Sequence, residues 1–260
     1  LLLAVPGSGK TTVLVTRLGY MVLCCDVPPA QILTMTYTVA ATHEMRGRFA
    51  ARFGAELAGQ MTFRTINGLS AVILQYYSRV YGRRQPELLT NEGDITRTLT
   101  DIWQQVNREF PTESTLKELR TAITYIKNMA LADEEIEGLE TDLANLPELY
   151  RRYQAALKRA GQMDYDDQMV FALQILRAAP PVLAYFQHRY KYFCVDESQD
   201  TSKIQHEIIR LLAGRSLNLF MVGDEDQSIY GFRAAYPQAL MDFETQICTI
   251  EAHPGNLLRF

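Results

Sequence analysis

The sequence predicts an α/β fold, a parallel sheet interrupted by a mostly helical insertion, and three observations predict it. Short apolar runs alternate with amphipathic helical stretches through the first 80 positions. A block rich in helix formers and poor in β-branched runs fills 82–160. Strand, helix and strand then return between Lys191 and Val222.

Taken in order, LLLAV at 1–5 reads as a short buried strand. A glycine-rich turn comes next, then a helix carrying Val13, Leu14, Leu18, Met21 and Val22 on its apolar face. Pro28 and Pro29 break the chain before a second strand at 31–37, QILTMTY. A helix to Phe53 repeats Met45, Phe49 and Phe53 at spacings of four. A third strand, MTFRTI at 61–66, leads into an apolar helix over 68–80. TDIWQQVNREF, TLKELRTAITYIKNMA and LPELYRRYQAALKRAG read as amphipathic helices, and DEEIEGLETD as a solvated acidic face. Strands are expected at 191–195 and 217–222, with a Ser- or Thr-capped helix ending at Gly214 between them. Residues 1–74 and 161–260 are therefore expected to form one discontinuous sheet domain, and 75–160 an inserted helical subdomain.

A hydrophobic content of 47% over 260 residues suffices for a sizeable core. The net charge of −4 carries no global signature of nucleic-acid binding, although local patches and stacking surfaces can hold a strand on an acidic protein. Cys24, Cys25, Cys194 and Cys248 form no C-x-x-C pair, which argues against zinc and disulfides and predicts reduced, mostly buried thiols in a cytoplasmic protein. The apolar start is too short for a membrane span. It lacks an initiating Met and opens inside a strand, as a piece cut at its N-terminal edge would.

AVPGSGKTT, Ala4 to Thr12, fits a phosphate-binding loop between strand and helix. Gly7 and Gly9 let backbone N–H groups turn inward around a polyphosphate. The helix beginning near Lys10 aims its positive end at the anion. Pro6, Ser8 and Thr12 complete the loop, Lys10 reaches the β- and γ-phosphates, and the Thr11 hydroxyl suits Mg²⁺. Asp196 and Glu197 come directly after the apolar KYFCV, where one acid can hold Mg²⁺ and its neighbour can deprotonate an attacking water. Asp200 reads as a cap for the next helix. FMVG delivers another polar cluster, in which Gln227 can contact both a γ-phosphate oxygen and that water. Tyr230 and Phe232 beside it suit either core packing or stacking on unpaired bases. No guanine-reading N/T-K-x-D stretch and no phosphoacceptor site point to a GTPase or a kinase. A nucleotide- or DNA-binding scaffold in a repair or defence complex is the alternative to a motor, and the intact Lys10, Asp196, Glu197 and Gln227 argue against it.

These strings occur in the order found in the UvrD/Rep family of superfamily 1 DNA helicases, which the chain resembles. AVPGSGKTT matches motif I, LTMTYTVAATHEM at 33–45 motif Ia, VDESQD motif II and VGDEDQSIYGFRAA motif III; TIN at 65–67 and MDYDDQM at 163–169 resemble two further family segments. The resemblance implies a RecA-like P-loop NTPase domain using ATP and Mg²⁺. It implies that Lys10 and Thr11 grip the nucleotide and metal, Asp196 binds Mg²⁺, Glu197 is the catalytic base and Gln227 couples the γ-phosphate to DNA. Tyr37, Tyr230 and Phe232 would face single-stranded DNA, with Thr36, Thr65 and Arg233 as further DNA-side residues. Val39, Ala40, Asn67 and Phe232 depart from the family's usual residues on that side. The resemblance also implies 3′-to-5′ movement, a second motor domain of the same chain that supplies arginines to the ATP site, and repair or recombination proteins as partners. The chain ends shortly after motif III, so on its own it is expected to bind nucleotide weakly and hydrolyse it slowly.

Overall fold

The structure, a computed structural model, describes residues 1–3, 5, 7–214 and 218–224 in full and 258–259 as backbone. The main sheet is built from six strands: β1 (Leu2–Leu3), β2 (Ile32–Thr36), β3 (Thr62–Thr65), β6 (Tyr192–Val195), β7 (Leu219–Gly223) and β8 (Leu258–Arg259). They are all parallel and lie in the order β3-β2-β6-β7-β1-β8. The helices α1 (Lys10–Leu23), α2 (Val39–Phe53) and α3 (Ala55–Gln60) accompany the first strands. The helices α4 (Ile66–Tyr81), α9 (Tyr165–Ala178), α10 (Pro180–Arg189) and α11 (Lys203–Ala213) belong to the other side.

The two-residue period of the strands sorts the core into two layers. Leu2, Ile32, Phe63, Cys194 and Val222 pack with α1, α2 and α3. Their alternates Leu1, Leu3, Leu33, Met35, Phe193, Val195 and Met221 pack with α4, α9, α10 and α11. The sheet is thus covered on both faces, as a parallel sheet must be.

A third apolar cluster is separate from these. It is built from α5 (Glu92–Asn107), α6 (Glu113–Asn128), α7 (Asp133–Glu137) and α8 (Leu146–Ala160). Each long helix contributes a stripe at helical spacing, such as Leu146, Leu149, Tyr153 and Leu157 of α8. Where this block leaves and rejoins the rest, β4 (Glu87–Leu88) pairs in parallel with β5 (Gln162–Met163). No single helix among the described residues is long and apolar enough to cross a membrane.

Local chemistry sets the helix starts. The Thr38 hydroxyl accepts from the Ala41 N–H at 3.0 Å, Thr65 from Gly68 at 2.9 Å and Asn91 from Gly93 at 2.9 Å. Three expectations need correcting. The helix after β3 starts at Ile66 because Thr65 caps it. The helix after β6 is capped by Ser202, whose N–H donates to Gln205 at 3.1 Å, while Asp200 lies in a preceding 3₁₀ turn, Ser198–Asp200. Within the acidic stretch, Ile136 of α7 is buried in the third cluster, although the acids around it are solvated. The thiols also differ: Cys194 is buried, but Cys24 and Cys25 are exposed where α1 ends.

Candidate nucleotide site

Strands β6, β7 and β1 are neighbours, so the loops that leave their carboxyl ends meet at one edge of the sheet, where open α/β sheets hold ligands. After β1 the chain turns through Gly7 and Gly9, both in the left-handed region at φ 76° and 87°. A Cβ at either would strain the backbone, yet it would meet no atom within 4 Å, so the space in front of the loop is open. Helix α1 begins at Lys10 with no side-chain cap and no acid in its first turn. Its leading N–H groups and positive end therefore face that space uncompensated by a side chain.

Lys10 Nζ lies 3.3 Å from the Val5 carbonyl oxygen and 3.3 Å from Asp224 Oδ2, at the end of β7. The pair is largely withdrawn from solvent, with side-chain exposures of 9% and 2%. Thr11 is half-buried; Ser8 and Thr12 are exposed. The Ser8 N–H donates to Val5 at 3.3 Å, which tightens the loop.

Asp196 ends the run from β6, and its N–H donates to Met35 of β2 at 3.0 Å. The residue is 6% exposed, and its Oδ1 is buried with no hydrogen-bond partner. Burial pushes its carboxyl up to about 6, and the negative Glu197 adds to this. A hydrogen bond from the Glu197 backbone and the charges of Lys10 and Arg48 oppose the rise without cancelling it. A buried, under-compensated carboxylate is what a divalent cation would neutralise. No cluster of three or more His, Cys, Asp or Glu that could hold a metal occurs among the described residues. A single buried carboxylate is compatible with Mg²⁺, which takes much of its shell from phosphate oxygens and water.

Glu197 stands at φ 51°, a left-handed conformation that costs a non-glycine residue energy. Its Oε2 accepts from Gln199 Nε2 at 2.7 Å. Among the residues singled out by sequence, Lys10, Asp196 and Glu197 are thus brought together. Two others at this edge, Asp224 and Gln199, have no role that sequence reasoning assigns, although both lie inside the motif strings. Gln227, Tyr230, Phe232, Arg233, Pro6 and Cys248 lie outside the described residues.

Beside the nucleotide edge runs a groove of about 1680 Å³. Thr36, Tyr37, Ile66 and Asn67 line its sheet side, and Thr121, Thr124, Tyr125 and Asn128 of α6 face them. Tyr37 is half-buried. Thr36 is only 2% exposed, and its hydroxyl is engaged with the Thr38 carbonyl at 3.0 Å and the Thr42 hydroxyl at 2.6 Å. The Thr65 oxygen is committed to its helix cap. Thr36 therefore lies in the groove wall, whereas Thr65 caps the helix that carries Ile66 and Asn67. Tyr165, in the MDYDDQM segment, is 54% exposed at the start of α9, where its carbonyl oxygen accepts from Asn67 at 3.2 Å. Arg48, Arg151 and Arg152 are held by Glu44, Glu137 and Glu148 as surface ion pairs.

The chain is similar in sequence to known proteins. The chain is 34% identical over 250 residues to the ATP-dependent DNA helicase PcrA of Leuconostoc citreum, covering 94% of this chain and 33% of that protein. It is 33% identical over 251 residues to PcrA of Staphylococcus aureus and 32% over 249 residues to that of Staphylococcus epidermidis, again with 94% of this chain covered. The chain spans about a third of the length of these relatives. The UvrD/REP helicase N-terminal domain matches residues 1–247, and the chain belongs to that family.

Proposed function

We propose that the chain is the ATP-binding and hydrolysing half of a helicase that translocates 3′ to 5′ along single-stranded DNA and works with a second motor domain of the same protein. The observation that carries the reading is the meeting of Lys10, from the loop after β1, with Asp224, from the end of β7, beside a buried Asp196 that lacks a full countercharge. The supporting family relationship is to helicases.

In this reading the loop N–H groups and Lys10 bind the β- and γ-phosphates. Thr11 and Asp196 hold Mg²⁺, which when bound neutralises charge on the phosphate oxygens. Glu197 accepts a proton from the attacking water. The γ-phosphorus gains that oxygen and loses its bond to the β-phosphate oxygen, giving ADP and inorganic phosphate. Gln227 senses the γ-phosphate. Tyr37, Tyr230 and Phe232 meet the bases, Arg233 the backbone, and Thr36 and Thr65 fix the wall beside them. Tyr165 is a further stacking face on the same edge. Residues 1–74 and 161–260 form the motor domain and 75–160 an inserted subdomain. Repair or recombination proteins are the partners that suit such a motor, in the cytoplasm.

ATP hydrolysis by the complete protein, with and without single-stranded DNA, tests this. Stimulation by DNA is expected, and Lys10→Ala should abolish turnover and weaken nucleotide binding by at least about tenfold. A Lys10→Ala protein that binds and hydrolyses ATP as the parent does would remove the basis of the proposal.

A further inference from the structure

We infer that Gln199 is the positioning residue of this site, holding the Glu197 carboxylate and tying it to the strand that contacts Lys10. The inference rests on the reading of Glu197 as the base.

Gln199 sits in the 3₁₀ turn after the acidic pair and is 1% exposed. Its amide faces two ways. Nε2 donates to Glu197 Oε2 at 2.7 Å, and Oε1 accepts from the Asp224 N–H at 3.0 Å. The chemistry fixes that orientation, because a carboxylate can only accept and a backbone N–H can only donate. A flipped amide would lose both bonds. Neither a carboxylate nor an ammonium could make the two contacts together.

Two further observations show that the arrangement is built. Glu197 is kept in its left-handed conformation, which persists only where the surroundings over-determine it, and the Gln199 bond fixes the end of its side chain. At the end of β7, a Cβ on Gly223 would come 2.6 Å from Ser198 Oγ and 3.1 Å from Gln199 Oε1. The strand is bare at the point where the turn seats on it. The Asp224 that supplies the N–H places its carboxylate 3.3 Å from Lys10 Nζ. A continuous chain of contacts therefore runs Glu197, Gln199, Asp224, Lys10. When phosphate oxygens compete with Asp224 for Lys10, any shift of Asp224 is transmitted to Glu197 through one amide.

The test uses the complete protein with Gln199→Met, which removes both hydrogen bonds at similar volume, and Gln199→Glu, which retains an acceptor for Asp224 and loses the donor to Glu197. Each is made alone and in a Glu197→Gln background. With magnesium-ATP and single-stranded DNA, kcat is expected to fall about 10–100-fold in either variant, the scale of a misplaced catalytic group. Affinity for a fluorescent ATP analogue should stay within about threefold, since binding does not run through Glu197. In the Glu197→Gln background the same substitutions should lower the single-turnover rate by less than about twofold, because Gln199 acts through the group already removed. Equal losses in both backgrounds, or a kcat within about twofold of the parent, would overturn the inference. If Gln199→Met loses its cooperative melt, Gln199→Glu decides on the same criteria. Lys10→Ala is run in parallel. Its failure to impair nucleotide binding would instead strike the proposed function, whereas its success beside unaffected Gln199 variants strikes this inference alone.

Discussion

Asp196 carries an energetic load that can be measured without any ligand. Its carboxyl is raised from 3.8 to about 6, so the folded chain holds that proton more tightly than the unfolded chain does. Between those values the native state binds more protons, and stability attributable to this residue falls as pH rises. The penalty is complete above about 6 and absent below about 4. Asp196→Asn is therefore expected to stabilise the magnesium-free protein at pH 7.5 by on the order of 1–3 kcal/mol in urea melts, with little effect near pH 4. Magnesium-ATP should stabilise the parent at pH 7.5 far more than the variant. A gain from Asp196→Asn that is the same at both pH values would show that charge burial is not its source. Lys10, Asp196 and Glu197 were legible in the sequence because a strand that runs into a polar group names an edge of the sheet. The partners were not legible, since Lys10 and Asp224 are 214 positions apart and nothing local reports their contact. Cys24 and Cys25 differ for a similar reason: thiols favour the interior on average, but these two follow the end of α1, where the chain is exposed.

At the scale of elements, periodicity identified the amphipathic helices and missed what clamps them to the sheet domain. Lys127 lies on α6, in the stretch TLKELRTAITYIKNMA. Its side chain is wholly buried, with Nζ 2.5 Å from Asp164 Oδ2 and 2.8 Å from Asp167 Oδ1, at the start of α9. Around it, Tyr153 of α8 donates to Asp164 at 3.2 Å, and Thr124 and Asn128 of α6 donate to Asp166 at 2.9 and 2.8 Å. Burial raises the carboxyls of Asp166 and Asp167 and pushes the Tyr150 hydroxyl up to about 12. Lys127 is the cation in direct contact with two of these three carboxylates. Lys127→Met is expected to destabilise by about 3–5 kcal/mol at neutral pH, the cost of leaving buried charges unpaired. Without the ammonium the carboxyls protonate more readily in the folded state, so the deficit should shrink between pH 8 and pH 5. Urea melts of parent and variant at the two pH values measure it, and a deficit that does not change with pH would mean that lost packing, not charge, is responsible.

At the scale of the whole molecule, the described residues combine a two-layered sheet core with a separate helical cluster, in the stretch where the sequence changes texture. It could not show that the block carries its own core, because that depends on α5, α6 and α8 sharing Leu99, Trp103, Leu119, Ile123, Leu149 and Tyr153 with one another rather than with the sheet. The helix that begins at Ile66 runs on to Tyr81, and Tyr76 and Tyr77 pack on the sheet-side cluster. At the junction the Glu87 N–H donates to Gly161 at 2.9 Å and the Leu89 N–H to Met163 at 2.8 Å. Leu89 and Gly161 are thus close enough for a linker of about four residues to join them, at roughly 3.3 Å per extended residue. Replacing 90–160 by such a Gly/Ser linker removes the third cluster as a unit. It also returns Asp164 and Asp167 to water, so their loss of Lys127 costs little. The shortened protein is expected to melt cooperatively and to bind a fluorescent ATP analogue with an affinity within about threefold of the parent, because Val5 and Asp224, which contact Lys10, both lie outside the helical block. Its affinity for a single-stranded oligonucleotide should fall by at least about tenfold, because α6 forms the second wall of the groove beside Tyr37. Loss of nucleotide binding in a well-folded shortened protein would mean that the helical block supports the ATP site directly, and the division of the chain into a motor domain and an insertion would have to be redrawn.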